Sequence, residues 1–310
     1  MAPLDPSRFT VRREAVRNGV RLAFVHEGVG GYPILLIHGY PETKRIWWRN
    51  VASLAAAGFE VIAPDLRGVG DSDLAADGFY DIAAYSMDLY ALVHDVLGHE
   101  QCVIVGGDVG GVVLCDLVGR YPGFAVRLAF FDTIVPLRGE LFDAAGIPPE
   151  PARDMRPTAD YFVRQGRDAD ALLAELDTAD RRRAWVADMY GHRLWASPGQ
   201  FSPADIEFMT EPFTDAARLR ASWGVYETAF GARPMEDAPR VGDPISIPTL
   251  ALYGADDHVV DASFPDRCRV AFTECIGPFV LRGCGHFVQW EAADTLNTTL
   301  RWCCADLLER

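Results

Sequence analysis

Asp108 stands at the centre of Gly106-Gly107-Asp108-Val109-Gly110-Gly111. Before it lies a short apolar run, Cys102 to Val105, and after it a stretch from Val112 to Tyr121 that ends at Pro122. The first reads as a buried strand, from its β-branched residues. The second reads as a helix, because proline cannot continue a helix interior. Strand, sharp turn and helix, with glycines two before and two after the central residue, have the shape of a nucleophile elbow. The usual central residue is serine, and here it is a carboxylate. A carboxylate attacks acyl carbon poorly but can displace at alkyl carbon, leaving an ester that water must cleave.

Two further groups suit that chemistry. Asp257 follows the apolar run Thr249 to Tyr253, in Tyr253-Gly-Ala-Asp-Asp257. His286 follows Phe279 to Leu281, in Gly283-Cys-Gly-His286. Nucleophile, acid and base then come in the chain order of a strand-end triad. Ligands of open α/β sheets bind beyond the carboxyl ends of strands, where all three are expected. A second acid, Asp132, ends the run Val126 to Phe131.

The elements that must hold these groups alternate. A hairpin, Phe9 to Val16 and Val20 to His26, turns at Asn18-Gly19. Strands follow at Pro33 to Ile37 and Phe59 to Ala63, with helices at Lys44 to Ala57 and Ile82 to Leu97. This pattern predicts an α/β fold with a mostly parallel sheet covered on both faces. Between Leu137 and Asp237 strand-type sequence disappears. Helical segments replace it at Ala159 to Gln165, Ala169 to Leu176, Arg181 to Trp195, Pro203 to Met209 and Ala216 to Gly231. A final helix runs from Glu291 to Leu308. The domains are therefore a core over 1–136, a helical insert over 137–237 and the rest of the core over 238–310.

Composition narrows the partners. The net charge of -15 argues against nucleic acid and against anionic membrane surfaces. No apolar run reaches membrane-spanning length, and Met1 to Arg13 carries no apolar targeting segment. The seven cysteines, an odd number without a C-x-x-C pair, fit free thiols in a reducing cytoplasm. Gly28, Gly30 and Gly31 precede a strand instead of opening a helix, and no G-x-G-x-x-G follows the first strand, so a dinucleotide site is rejected.

The chain resembles the α/β-hydrolases of the epoxide hydrolase and dehalogenase branch. The matching residues are His38-Gly39-Tyr40-Pro41, Asp65 to Ser72, Gly106 to Gly111, Tyr253 to Asp257 and Gly283-Cys-Gly-His286-Phe287. They span almost the whole core, and the insert corresponds to that branch's cap domain, where the likeness is loose. The resemblance implies that Asp108 attacks an epoxide carbon and that His286 activates the water that hydrolyses the ester. It implies Asp257 as the acid that orients His286, at the commoner place. Asp132, where some dehalogenase-like relatives put the acid, is the alternative. The backbone N–H groups of Tyr40 and Val109 would meet the oxyanion. Tyr226 matches one of the cap tyrosines that protonate the leaving oxygen. Tyr161 is near the other, one residue short in its spacing to Gln165, and Tyr190 could replace it. His38, Pro41 and Trp47 are expected at the pocket. His26, His94, His99, His192 and His258 receive no role. No metal or organic cofactor is implied, and the partners are a small epoxide and water. A homodimer is compatible with this reading.

Departures from the branch point toward an epoxide. Haloalkane dehalogenases usually carry Trp after the nucleophile and an amide after His-Gly; here these are Val109 and Tyr40. Relatives acting on haloacetates carry arginines after the nucleophile, and Val109 to Cys115 has none. Gly107 stands where His is common, which implies extra room. Haloacetate or haloalkane dehalogenation with the same nucleophile remains the alternative reaction, and a non-catalytic small-molecule binder the alternative class.

Overall fold

The computed structural model describes residues 4–149, 160–191 and 195–309. Its centre is an eight-stranded sheet in the order β1-β2-β4-β3-β5-β6-β7-β8. The strands are β1 Val11–Ala15, β2 Arg21–Glu27, β3 Tyr32–Ile37, β4 Phe59–Pro64, β5 Cys102–Gly107, β6 Ala125–Phe131, β7 Thr249–Gly254 and β8 Cys275–Leu281. β2 runs antiparallel to both neighbours, and every other pairing is parallel. The central strands β4, β5 and β7 are buried along their whole length. Their mostly apolar sequence, broken only by Glu60 in β4 and Thr249 in β7, is what a sheet covered on both faces demands. The fold is that of an α/β-hydrolase, with helices flanking the sheet and an excursion between β6 and β7.

That excursion contains helices Asp160–Arg167, Ala169–Glu175, Ala179–Gly191, Pro203–Thr210, Ala216–Ser222 and Gly224–Ala229. The expected helix start at Ala159, residues 192–194 of the expected helix to Trp195, and His192 lie outside the described residues. Among the described residues no helix is long and apolar enough to cross a membrane.

Several elements differ from the sequence expectation. The helix expected over Lys44 to Ala57 is a 3-10 turn, Lys44–Trp47, and a separate helix, Val51–Ala56. Ile46, Trp47 and Trp48 are consecutive and all buried, which a continuous helix with one inward face cannot achieve. The helix after the elbow begins at Asp108 itself, not at Val112. The helix expected over Ala216 to Gly231 breaks at Trp223, whose fully buried indole bonds to the core. The last helix starts earlier, at Val288, and breaks at Ala292 and Cys304. β8 begins at Cys275 and runs through Pro278 with an irregular register against β7, which an edge strand tolerates. A helix over Phe264–Ala271 was not anticipated, although Ser263, Pro265 and Asp266 are its start signal.

Candidate active site

β5 delivers Asp108 to the end of the sheet, where the chain must turn at once into a helix. Asp108 has φ +48°, a left-handed conformation that a non-glycine residue adopts at a cost. The turn lifts its carboxylate out of the sheet. Oδ1 accepts from the Tyr40 N–H at 2.7 Å, and Oδ2 lies 3.2 Å from His286 Nε2. On the other side of the ring, His286 Nδ1 lies 3.0 Å from Asp257 Oδ2. The imidazole is thus bracketed by two carboxylates, with its side chain wholly buried.

The charges follow from this bracket. Burial pushes the Asp108 carboxyl up, but His286 and the N–H groups of Tyr40 and Val109 outweigh it, and the net shift is downward. Burial pushes the His286 imidazole down. Asp257 first, and Asp108 with it, reverse this and hold its pKa well above the usual histidine value. Both shifts favour the charged forms, a carboxylate on Asp108 and an imidazolium on His286.

The second acid is placed otherwise. Asp132 also has a positive φ, +38°, and its carboxylate accepts from the Gly254 N–H at 3.0 Å. Its backbone carbonyl accepts from the Asp108 N–H at 3.2 Å. Burial, and then Asp257, push its carboxyl well above the ordinary range. Asp132 thus fastens the end of β7 and the elbow, while Asp257 is the acid within hydrogen-bond distance of His286.

A cavity of about 190 Å³ opens on Asp108 and is lined by Ile82, Val109, Val112, Ile134, Phe162, Val225, Tyr226 and Ala229. Apart from Asp108 and the Tyr226 hydroxyl, these side chains are apolar. Tyr226 therefore shares the cavity with Asp108. Tyr161 does not line it; its ring packs edge-on against Trp195 and Tyr226, with centroids 4.9 and 6.0 Å away. The Tyr190 hydroxyl donates to the Pro41 carbonyl at 2.6 Å.

The residues expected at the pocket lie around this cavity, not in its wall. None of His38, Pro41 and Trp47 lines it, although His38 lines a smaller neighbouring cavity that shares Val109 and Val225 with it. His38 is buried, with Nε2 accepting from the Leu66 N–H at 3.0 Å and Nδ1 lying 2.9 Å from the Gly39 carbonyl. Both ring nitrogens therefore hold backbone. Trp47 is fully buried and packs on Phe131. Pro41 offers its carbonyl to Tyr190. The room expected beside Gly107 is also absent. The Phe131 ring fills it, and a β-carbon on Gly107 would lie 2.1 Å from that ring.

Several residues near the site were not anticipated. Glu42, four residues after His38, is fully buried; Oε2 accepts from the Gly39 N–H at 2.6 Å and Oε1 from Gln289 at 2.7 Å. Gln165 lies with its side-chain amide 2.6 Å from the Tyr40 hydroxyl, which also accepts from Trp223 Nε1 at 3.2 Å. These contacts tie the insert to the loop that binds Asp108. A lone acid within an apolar run, such as Glu291 in Phe287-Val-Gln-Trp-Glu291, is the signal that was available.

The alpha/beta hydrolase fold family matches residues 32–293 of the chain. A soluble epoxide hydrolase of Corynebacterium sp. is 30% identical over 294 residues, covering 93% of this chain and 96% of the relative. Epoxide hydrolase A of Mycobacterium tuberculosis is 28% identical over 310 residues, covering 91% and 94%. The solved structure of the epoxide hydrolase CorEH without ligand superposes with a TM-score of 0.82 at 22% identity, covering 97% of this chain and 100% of that one. At that identity the structural likeness is one of fold.

Proposed function

The chain belongs to the alpha/beta hydrolase fold family, with soluble epoxide hydrolases among its relatives, and from that we propose that it is an epoxide hydrolase working through an ester on Asp108. One observation carries the mechanism. A carboxylate, not a hydroxyl, stands at the elbow, with one oxygen on a backbone N–H and the other beside His286.

Asp108 Oδ2 attacks a ring carbon, and the C–O bond of the epoxide breaks. The electron pair stays on the ring oxygen, which takes a proton from the Tyr226 hydroxyl. Charge on Asp108 disappears as the ester forms. His286 then loses one of the two carboxylates that raise its pKa, while burial still lowers it, so it gives up its proton to solvent more readily and the neutral imidazole, the form that can act as a base, is favoured. It takes a proton from water, whose oxygen attacks the Asp108 carbonyl carbon. Negative charge develops on Oδ1, where the Tyr40 and Val109 N–H groups meet it; a donor of this kind is worth about 3 kcal/mol. The tetrahedral species expels the diol alkoxide, which carries Oδ2 away and takes the proton held by His286. The remaining acid proton passes to the Tyr226 oxygen, His286 regains from solvent the proton it released, and the resting site is restored.

Residues 137–237 act on this reading as a cap that supplies Tyr226 and much of the apolar wall. The substrate on this reading is a small neutral epoxide: among the described residues no cationic side chain lines the cavity to hold a carboxylate. Seven free cysteines support a cytoplasmic location. The test is the intact mass of a His286→Ala variant incubated with a panel of epoxides, beside a diol assay of the wild type. A gain of one epoxide mapped to Asp108, with diol from the wild type, is expected. Halide release and an adduct from haloacetate, with no diol from any epoxide, would move the protein to the dehalogenases.

A further inference from the structure

Five residues after His286, the half-buried Glu291 turns back across the loop that carries the histidine. Its Oε2 accepts from the Gly285 N–H at 2.7 Å, and its Oε1 from the Phe287 N–H at 2.9 Å. The peptide groups on both sides of His286 are thus held by one carboxylate. The N–H of His286 itself donates to the Trp195 carbonyl of the insert at 2.7 Å. A third donor to Glu291 comes from the same piece of the insert, the Ser197 N–H at 2.8 Å from Oε2.

The insert and the histidine loop are in close contact here. A β-carbon on Gly285 would lie 2.4 Å from the Trp195 carbonyl oxygen and 2.5 Å from the Ser197 nitrogen, so only glycine fits. The Trp195 indole meets the His286 ring edge-on, with centroids 5.4 Å apart. The Ser197 hydroxyl donates to Asp256 at 2.6 Å, next to the acid that faces Nδ1.

We propose that Glu291 is a positioning residue for the hydrolysis step. Its carboxylate fixes the backbone on both sides of His286 and locks that loop to the insert at Ser197, which keeps Nε2 aimed at the water beside Asp108. The proposal rests on the epoxide hydrolase reading. Glu291 does not line the cavity that Asp108 and Tyr226 share, so attack on the epoxide does not need it. Ester hydrolysis does, because the imidazole must meet water and ester together. Misplacement of a catalytic group by about 1 Å costs on the order of a hundredfold.

The two steps separate kinetically. With attack effectively irreversible, kcat/KM reports ester formation, and kcat reports hydrolysis when hydrolysis is slower. We would compare the wild type with Glu291→Ala and Glu291→Gln on styrene oxide, measuring kcat, KM and the fraction of enzyme carrying the ester by intact mass. Loss of positioning predicts that in Glu291→Ala kcat falls roughly ten- to a hundredfold and KM falls with it, leaving kcat/KM within about threefold, while ester accumulates on Asp108. Glu291→Gln, which keeps one acceptor oxygen, should fall between the two, and it carries the test if the alanine variant does not fold. A variant that loses kcat/KM as fully as kcat, without accumulating ester, overturns the proposal, and so does unchanged kcat in both variants. A wild type that forms neither ester nor diol overturns the epoxide hydrolase reading and this inference with it.

Discussion

The Tyr40 N–H donates to Asp108 Oδ1 at 2.7 Å and thereby divides the work of the two carboxylate oxygens. The oxygen held by backbone is the one on which charge would develop during hydrolysis. The other, facing His286, is free to attack. This division predicts the path of oxygen. In one turnover with excess enzyme in oxygen-18 water, the label should enter Asp108, because water attacks its carbonyl carbon while the diol leaves with Oδ2. Only after repeated turnovers should the diol become labelled. Label in the diol from the first turnover would mean that water opens the epoxide directly, with Asp108 acting as a base.

Tyr226 and Tyr161 were expected as a pair of proton donors, but only Tyr226 shares the cavity with Asp108. A positioned general acid contributes about a hundred- to ten-thousandfold. Tyr226→Phe should therefore lower kcat/KM by at least a hundredfold, because ring opening is the step that needs its proton. Tyr161→Phe should lose less than tenfold, since that ring acts as packing for Trp195 and Tyr226. Equal losses in the two variants would restore the two-donor arrangement.

The elbow could be read from residues because its cause is local. An all-apolar strand, a cluster of glycines and one carboxylate at the turn leave few alternatives. Asp257 and His286 were legible for the same reason, each following an apolar run into a glycine-rich turn. What escaped depends on contacts between distant segments. Asp132 and Asp257 both follow core strands, and only the direction of each carboxylate separates them: one meets the Gly254 N–H, the other the imidazole. Glu42 looks like a surface acid in sequence and Glu291 is marked only as a lone acid in an apolar run; their partners are backbone N–H groups of folded loops and, for Glu42, the Gln289 amide. The cavity walls come partly from insert helices whose apolar residues carry no signature of what they face.

Gly107 illustrates that limit and yields a prediction about stability. Its Cα pairs with that of Phe131 across β5 and β6, and the aromatic ring occupies the space a side chain would need. Its φ is -127°, which any residue adopts, so the constraint is steric alone. Overpacking of this kind costs about 1–3 kcal/mol. Gly107→Ala should lose that much in urea unfolding, and Phe131→Leu in the same chain should recover part of it. Additive losses in the double variant would show that the two residues do not compete for space.

Glu42 should leave its mark on the pH dependence of stability. It is enclosed beside the Asp108 loop, and its carboxyl is pushed up to about 7 from an ordinary 4.5. Burial is the largest cause and the charge of Asp108 adds to it, against the Gly39 N–H, His286 and Gln289, which pull it down. A carboxyl raised in the folded state stabilises the fold while it is protonated. That contribution is complete below about pH 4.5 and is lost as pH rises through about 7. The shift corresponds to a few kcal/mol, on the order of 3. Glu42→Gln has no proton to lose there. The unfolding free energy of the wild type minus that of the variant should therefore fall steadily between about pH 4.5 and 7 and level off above. Subtracting the variant removes the contributions of Asp108 and His286 that do not depend on the Glu42 charge, and leaves the titration of Glu42 with its coupling to those two groups. A difference that stays flat across that interval would mean that Glu42 is already ionised in the folded protein, held by the Gly39 N–H and Gln289.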